Sequence, residues 1–280
     1  MTRFIDFHVH PPTEAMMHGS FGPFLEGLEA QFGRSFPIMT SDQLADYYRT
    51  QDGRALLLAW DAETATRLPA FTSAAVAALV AEHPDVFIGF GSVDPHKGEA
   101  AVLGVHEAAR LGLKGLKFHP SAQRFSPNDG LAYPMLEVAE ELGLITLFHT
   151  GVTALGSGMS GGGGIRNRHA HPLLVDDVAS DFPRLQIVLA HPSWPWQADA
   201  IAVARHKPNV YLELSGWSPK LFSPELVDAI CGPLRYRTLF GTDFPFLTPD
   251  KWLRDWATLD IDEDIAVDIL VGNARRLLDV

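Results

Sequence analysis

Eight short apolar runs with helical patterns between them constrain this 280-residue chain more than any other feature. They are RFIDFHV (3–9), RALLLAW (54–60), VFIGFGSV (86–93), GLKGLKF (112–118), LITLFHT (144–150), LQIVLAH (185–191), NVYLELSG (209–216) and TLFGTDF (238–244). Each is near-continuous in Val, Ile, Leu and Phe rather than cleanly alternating, which suits parallel strands covered on both faces. Helical segments lie between them, among them SDQLADYYRTQ (41–51), TSAAVAALVAEH (72–83), KGEAAVLGVHEAARLG (97–112) and GLAYPMLEVAEELG (130–143). The last two end at glycine, as helices often do. Strand and helix alternating eight times predict an α/β fold, a (β/α)8 TIM barrel, as one domain over residues 1–280.

Two segments interrupt the alternation. Residues 11–40 follow the first strand, and the glycine-rich stretch GVTALGSGMSGGGGIRNRHAH (151–171) follows the fifth. Both are therefore expected as loop insertions at the C-terminal mouth of the barrel, where this fold keeps its active sites.

Bulk properties narrow the function classes. The formal net charge is −12 and no Lys/Arg cluster longer than a pair occurs, so nucleic acid is not an expected partner. The longest apolar run, AAVAALVA at 74–81, is too short to span a bilayer. A lone cysteine, Cys231, fits a reducing compartment, and the first apolar run begins after only three residues. Together these predict a cytoplasmic, soluble protein with no nucleic-acid or membrane partner, and they leave a small-molecule substrate open.

The predicted strand ends hold the chemistry. Strand one ends in His8 and His10, strand four in Lys117 and His119, strand five in His149, strand six in His191 and strand eight in Asp243. Five of the twelve histidines fall at these ends, a placement that core histidines would not favour. His8 and His10, two residues apart, share a face, and the barrel brings the other strand ends toward them. Imidazoles with a carboxylate suit one divalent ion, Zn2+ or alternatively Mn2+. A lone HxH is weak evidence of a metal; the joint pattern over several strands is what carries the reading.

The motifs DFHVHP, GLKFHP, LFHTG, LAHPSW, GTDFPF and the closing GNARRLL resemble the amidohydrolase superfamily over nearly the whole chain. They are most similar to its second group, which contains aromatic-acid decarboxylases such as aminocarboxymuconate semialdehyde decarboxylase. The resemblance implies a metal held by His8, His10, His149 and Asp243, with His191 as a catalytic acid or base and a homodimer. KFHPSAQRFSPND, GGGGIR and LSGWSPK further resemble a subset that hydrolyses 4-hydroxyphenyl-β-ketoacyl-CoA.

These motifs point first to a hydrolase acting on an ester, lactone or β-ketoacyl thioester through a metal-activated water, with Asp243 and His191 moving protons. The alternative is non-oxidative decarboxylation of an aromatic or unsaturated acid. A metal-free lactonase and a barrel that only binds its ligand stand further back. Lys117 and His119 are expected in the substrate pocket; a carboxylated Lys117 bridging two metals is the less favoured role. Arg166 and Arg168 are expected to reach an anionic substrate from a flexible lid, against the plainer alternative of a mobile surface loop. Trp194 is expected to form an aromatic wall, though packing explains it equally well.

Overall fold

The computed structural model describes residues 3–280. Eight strands form one sheet in sequential order: β1 (Phe4–Val9), β2 (Gly53–Leu58), β3 (Phe87–Gly91), β4 (Gly115–Phe118), β5 (Ile145–His149), β6 (Ile187–Ala190), β7 (Val210–Glu213) and β8 (Thr238–Leu239). Every pair from β1–β2 to β7–β8 is parallel. Parallel neighbours need crossovers, and helices such as Ser73–Glu82, Glu99–Arg110 and Tyr133–Glu141 supply them. Separate backbone bonds close the remaining edge. The amide of Phe7 donates to Phe240 O at 3.0 Å, His10 to Phe244 O at 2.8 Å and Asp243 to His8 O at 2.9 Å. The expected (β/α)8 barrel is present.

Side chains pack in two layers. A large outer cluster joins the sheet to its helices, with Phe4, Leu57, Phe118, Phe148 and Leu189 among its strand members. A smaller inner cluster fills the barrel, with Ile5, Phe7, Leu56, Phe90, Leu147 and Val188. Ala274 and Leu278, from the last helix Asn273–Leu278, join the inner cluster and plug the end of the barrel away from the mouth.

Strict alternation along FIDFHVH would put Ile5, Phe7 and Val9 on one face and Asp6, His8 and His10 on the other. The structure breaks that alternation. The β1–β2 register passes from Asp6↔Ala55 to Val9↔Leu57, so three steps of β1 match two of β2 in a bulge. Ile5 and Phe7 thus fill the barrel, Val9 joins the outer core, and His8 and His10 still turn inward at the mouth.

Both insertions are more structured than loops. Residues 11–40 contain a π-helix, Ala15–Phe21, and an α-helix, Phe24–Phe32, which buries Phe24, Leu25 and Leu28. The glycine-rich segment folds into two 3-10 turns, Ser160–Gly164 and Asn167–Ala170. The insertions touch: a Cβ on Gly163, whose φ is +60°, would come 2.6 Å from the Phe24 ring. Glycine is needed there on both counts.

Candidate active site

The strand ends converge on one cavity of about 780 Å3, lined at its floor by His8, His10, Lys117, His119, His149, His191 and Asp243. All seven positions read from the sequence at strand ends therefore meet. The backbone works for this at β6 and β8: His191 and Asp243 hold φ of +72° and +66°, a left-handed conformation that non-glycine residues rarely adopt.

Hydrogen bonds set the ring orientations. His191 Nδ1 faces the carbonyl of Ser215 at 3.1 Å, and a carbonyl only accepts, so Nδ1 carries the proton. His191 Nε2 is then an acceptor and takes the bond from His149 Nδ1 at 2.9 Å. This leaves His149 Nε2 with a free lone pair, and that buried atom has no hydrogen-bond partner among the described residues. Both nitrogens of His191 are thus engaged within the protein. The ring of His119 stacks on that of His149 at 3.9 Å.

On the other side, His8 Nδ1 lies 3.0 Å from Glu213 Oε2, and the same carboxylate accepts from the hydroxyl and amide of Ser215, each at 2.7 Å. His8 Nε2 is consequently the unprotonated nitrogen. It faces Lys117 Nζ at 3.1 Å and Asp243 Oδ1 at 3.4 Å, while His10 Nε2 lies 3.3 Å from the same Asp243 oxygen. Phe21, Trp60 and Phe246 surround the His10 ring at 5.4, 5.9 and 6.0 Å, and its Nδ1 has no partner among the described residues.

Burial governs the charge states. It pushes His8, His10, His119 and His149 below the ordinary imidazole value, and His191 down to about 4. The imidazoles are therefore neutral at pH 7, the form that donates a lone pair. Burial opposes ionisation of Asp243, but the His10 hydrogen bond and nearby positive charge outweigh it and hold the carboxyl below its usual range. Burial also pulls Lys117 down and Glu213 up.

Donor atoms of His8, His10 and Asp243 lie within 4.8 Å of one another. Two neutral imidazoles, one ionised carboxylate and the unpartnered His149 Nε2 make a donor set that fits a divalent ion. His149 itself stands outside the three-residue cluster, so it joins a ligand set only through Nε2. A second grouping of His8, His191 and Glu213 is bridged by the Ser215 hydroxyl, 3.1 Å from His8 Nδ1 and 3.0 Å from His191 Nδ1, and is a hydrogen-bonded network.

Arg166 and Arg168 stand apart from the seven strand-end residues. Both are exposed and neither lines the cavity. Gly161 to Gly164 all take positive φ and turn the segment over the helix Pro120–Gln123, where Arg124 Nε donates to Gly164 O at 3.1 Å. Only the start of the segment, Val152 to Leu155, reaches the cavity. Trp194 does line it, 5.9 Å from Trp217. Glu213, Ser215 and the cavity-lining Arg34 were not singled out from the sequence. A lone carboxylate in NVYLELSG, two residues before a serine, was the available signal for the first two.

The amidohydrolase family pattern matches residues 5–280. No curated protein matches the sequence. Among solved structures, an uncharacterised TIM-barrel protein from Bordetella bronchiseptica superposes with a TM-score of 0.82 at 24% identity, covering 99% of this chain and 98% of that one. A dihydroxybenzoic acid decarboxylase from Polaromonas, with bound manganese and 2-nitroresorcinol, gives 0.71 at 20% identity over 100% and 97% of the two chains. The 5-carboxyvanillate decarboxylase of Sphingomonas paucimobilis gives 0.68 at 19% over 100% of both. With its barrel, its strand-end histidines and a family match across nearly its whole length, the chain belongs to the amidohydrolase family, in the second group that its motifs resemble.

Proposed function

We propose that this enzyme is a metal-dependent, non-oxidative decarboxylase of an aromatic or unsaturated carboxylic acid. The observation that carries the reading is the cavity's charge. Its lining holds Arg34, Lys117 and Lys251, the last of them paired with Asp255 behind the wall, against one lining carboxylate, Asp243, in a chain of net charge −12. Such a cavity draws in anions. Aromatic walls above the histidine floor suit a ring, and several structures of like fold are decarboxylases of aromatic acids.

His8, His10, His149 through Nε2 and Asp243 would hold the ion, Zn2+ or Mn2+; manganese is bound in two neighbours. A divalent ion there supplies positive charge to bind and polarise a substrate oxygen. Lys117 meets the substrate's anionic group at the floor. The carbon–carbon bond to the carboxylate breaks, carbon dioxide leaves, and the electron pair stays on the ring carbon. Asp243, protonated from solvent before the bond breaks, would give that proton to the carbon, so that one proton is consumed for each carbon dioxide released. His191 holds His149 in position, and the apolar walls exclude water. A cytoplasmic location and a homodimer belong to the same reading.

Hydrolysis of an ester, lactone or thioester is the second reading, favoured by a cavity roomier than a single ring requires. Carbon dioxide release from a panel of hydroxybenzoates and unsaturated acids, run in D2O, separates the two. Decarboxylation gives carbon dioxide and one deuterium at the vacated carbon. Acid and alcohol or thiol released from esters or thioesters, with no carbon dioxide from any acid, overturns it.

A further inference from the structure

The cavity has two unlike halves. Its floor is polar, as described, but its outer wall is apolar, and Phe32, Trp194 and Leu221 remain 39%, 54% and 66% exposed while lining it. Large apolar side chains left open around one opening mark a surface that awaits a ligand. The volume of about 780 Å3 lies in the upper range for a drug-sized molecule.

Two cations line this outer half, and they differ. Lys251 is neutralised by Asp255 at 2.6 Å, a carboxylate shared with Lys220 at 3.2 Å. Arg34 has no carboxylate partner among the described residues. One terminal nitrogen, Nη2, donates to the carbonyls of Pro245 and Phe246 at 3.2 and 3.0 Å, which anchors the guanidinium to the segment following Asp243. Its carbon lies 5.4 Å from the centre of the Phe36 ring. Nε and Nη1 make no hydrogen bond among the described residues. An anchored guanidinium with free donors is a fork for a planar oxyanion.

We propose that the outer half of the cavity is a second binding subsite, in which Arg34 receives an oxyanion at the far end of an elongated apolar substrate. The substrate is then a dianion, one end on the floor and the other on Arg34, with its body along Trp194, Trp217 and Leu221. This rests on the aromatic-acid reading for the floor end and adds the distal charge. It also moves the anion-binding role expected of Arg166 and Arg168 to the first insertion.

Calorimetric titration of the manganese-loaded full chain tests it with four probes. These are benzoate, 5-(4-carboxyphenyl)pentanoate, its terminal primary amide, and the phosphate ester of 4-(4-hydroxybutyl)benzoate. Wild type should bind at least one anion-ended probe about tenfold more tightly than the amide. Whichever anion wins identifies the distal group. Arg34→Met should bring that ratio to about one, and Arg34→Lys should keep part of it. If benzoate binds and the three long probes bind alike, or the ratio survives Arg34→Met, the subsite is overturned and the floor reading stands. If benzoate fails while an Arg34-dependent ratio persists, the aromatic-acid reading falls and the subsite stands. Failure of every probe overturns both.

Discussion

The carboxylate of Glu213 lies 3.0 Å from Nδ1 of His8, and both side chains are buried, at 0% and 1% exposure. This contact fixes which nitrogen of His8 faces the cavity, because a carboxylate accepting at Nδ1 leaves the lone pair on Nε2, where Lys117 now meets it. Glu213→Gln is therefore expected to weaken metal binding roughly 10- to 100-fold. Competition with a chromophoric chelator measures it; unchanged affinity would mean that His8 is oriented by something else.

Gly216 stands where no side chain fits. Its φ is +75°, and a Cβ would come 2.8 Å from His191 Nδ1. Gly216→Ala should push His191 off His149 and cost about 1–2 kcal/mol of stability through the backbone alone. Activity should fall well beyond what the melting shift explains. Full activity with a lowered Tm would remove His191 from the site's working parts.

Removing the metal should abolish activity, and adding back Mn2+ or Zn2+ should restore it. A ligand at a hundred times its Kd stabilises the fold by about 2.7 kcal/mol, so Tm should rise with added metal. The His8→Ala/His10→Ala double variant should show neither effect. A thermal shift equal to that of wild type in the double variant would place the ion elsewhere.

Asp255 supplies a pH dependence away from the metal cluster. Hydrogen bonds from Lys251 and Ser218, with Lys220 nearby, lower its pKa from 3.8 to about 2. The folded state thus prefers the ionised form, and this contribution is complete above about pH 4 and lost as pH falls through about 2. With solvent screening of the exposed lysines it amounts to about 1–2 kcal/mol. Asp255→Asn should lower stability at pH 7 and flatten its dependence between pH 4 and 2. Equal acid-unfolding profiles for the two proteins would contradict this.

Much of the site was legible because its residues sit at the ends of strands that announce themselves by composition. His8, His10, His119, His149, His191, Asp243 and Lys117 all reached the cavity that the barrel reading assigned them. Arg166 and Arg168 did not, because the path of a loop depends on what it packs against, here Phe24 and Arg124. Arg34 was hidden for the same reason. Glu213 was hidden differently: it stood inside a recognised strand, but its partner His8 is 205 residues away.

Sequence alone determined the eight strands and their order, the helices between them, the family, and which side chains end the strands. These follow from local periodicity, which each segment carries within itself. Only the tertiary structure decided the bulge that lets Phe7 and His8 both serve the barrel interior, the proton placement from Ser215 through His191 to His149, and the anchored guanidinium of Arg34 at the mouth. Those depend on register and contact between distant segments, which exist only once the barrel has closed.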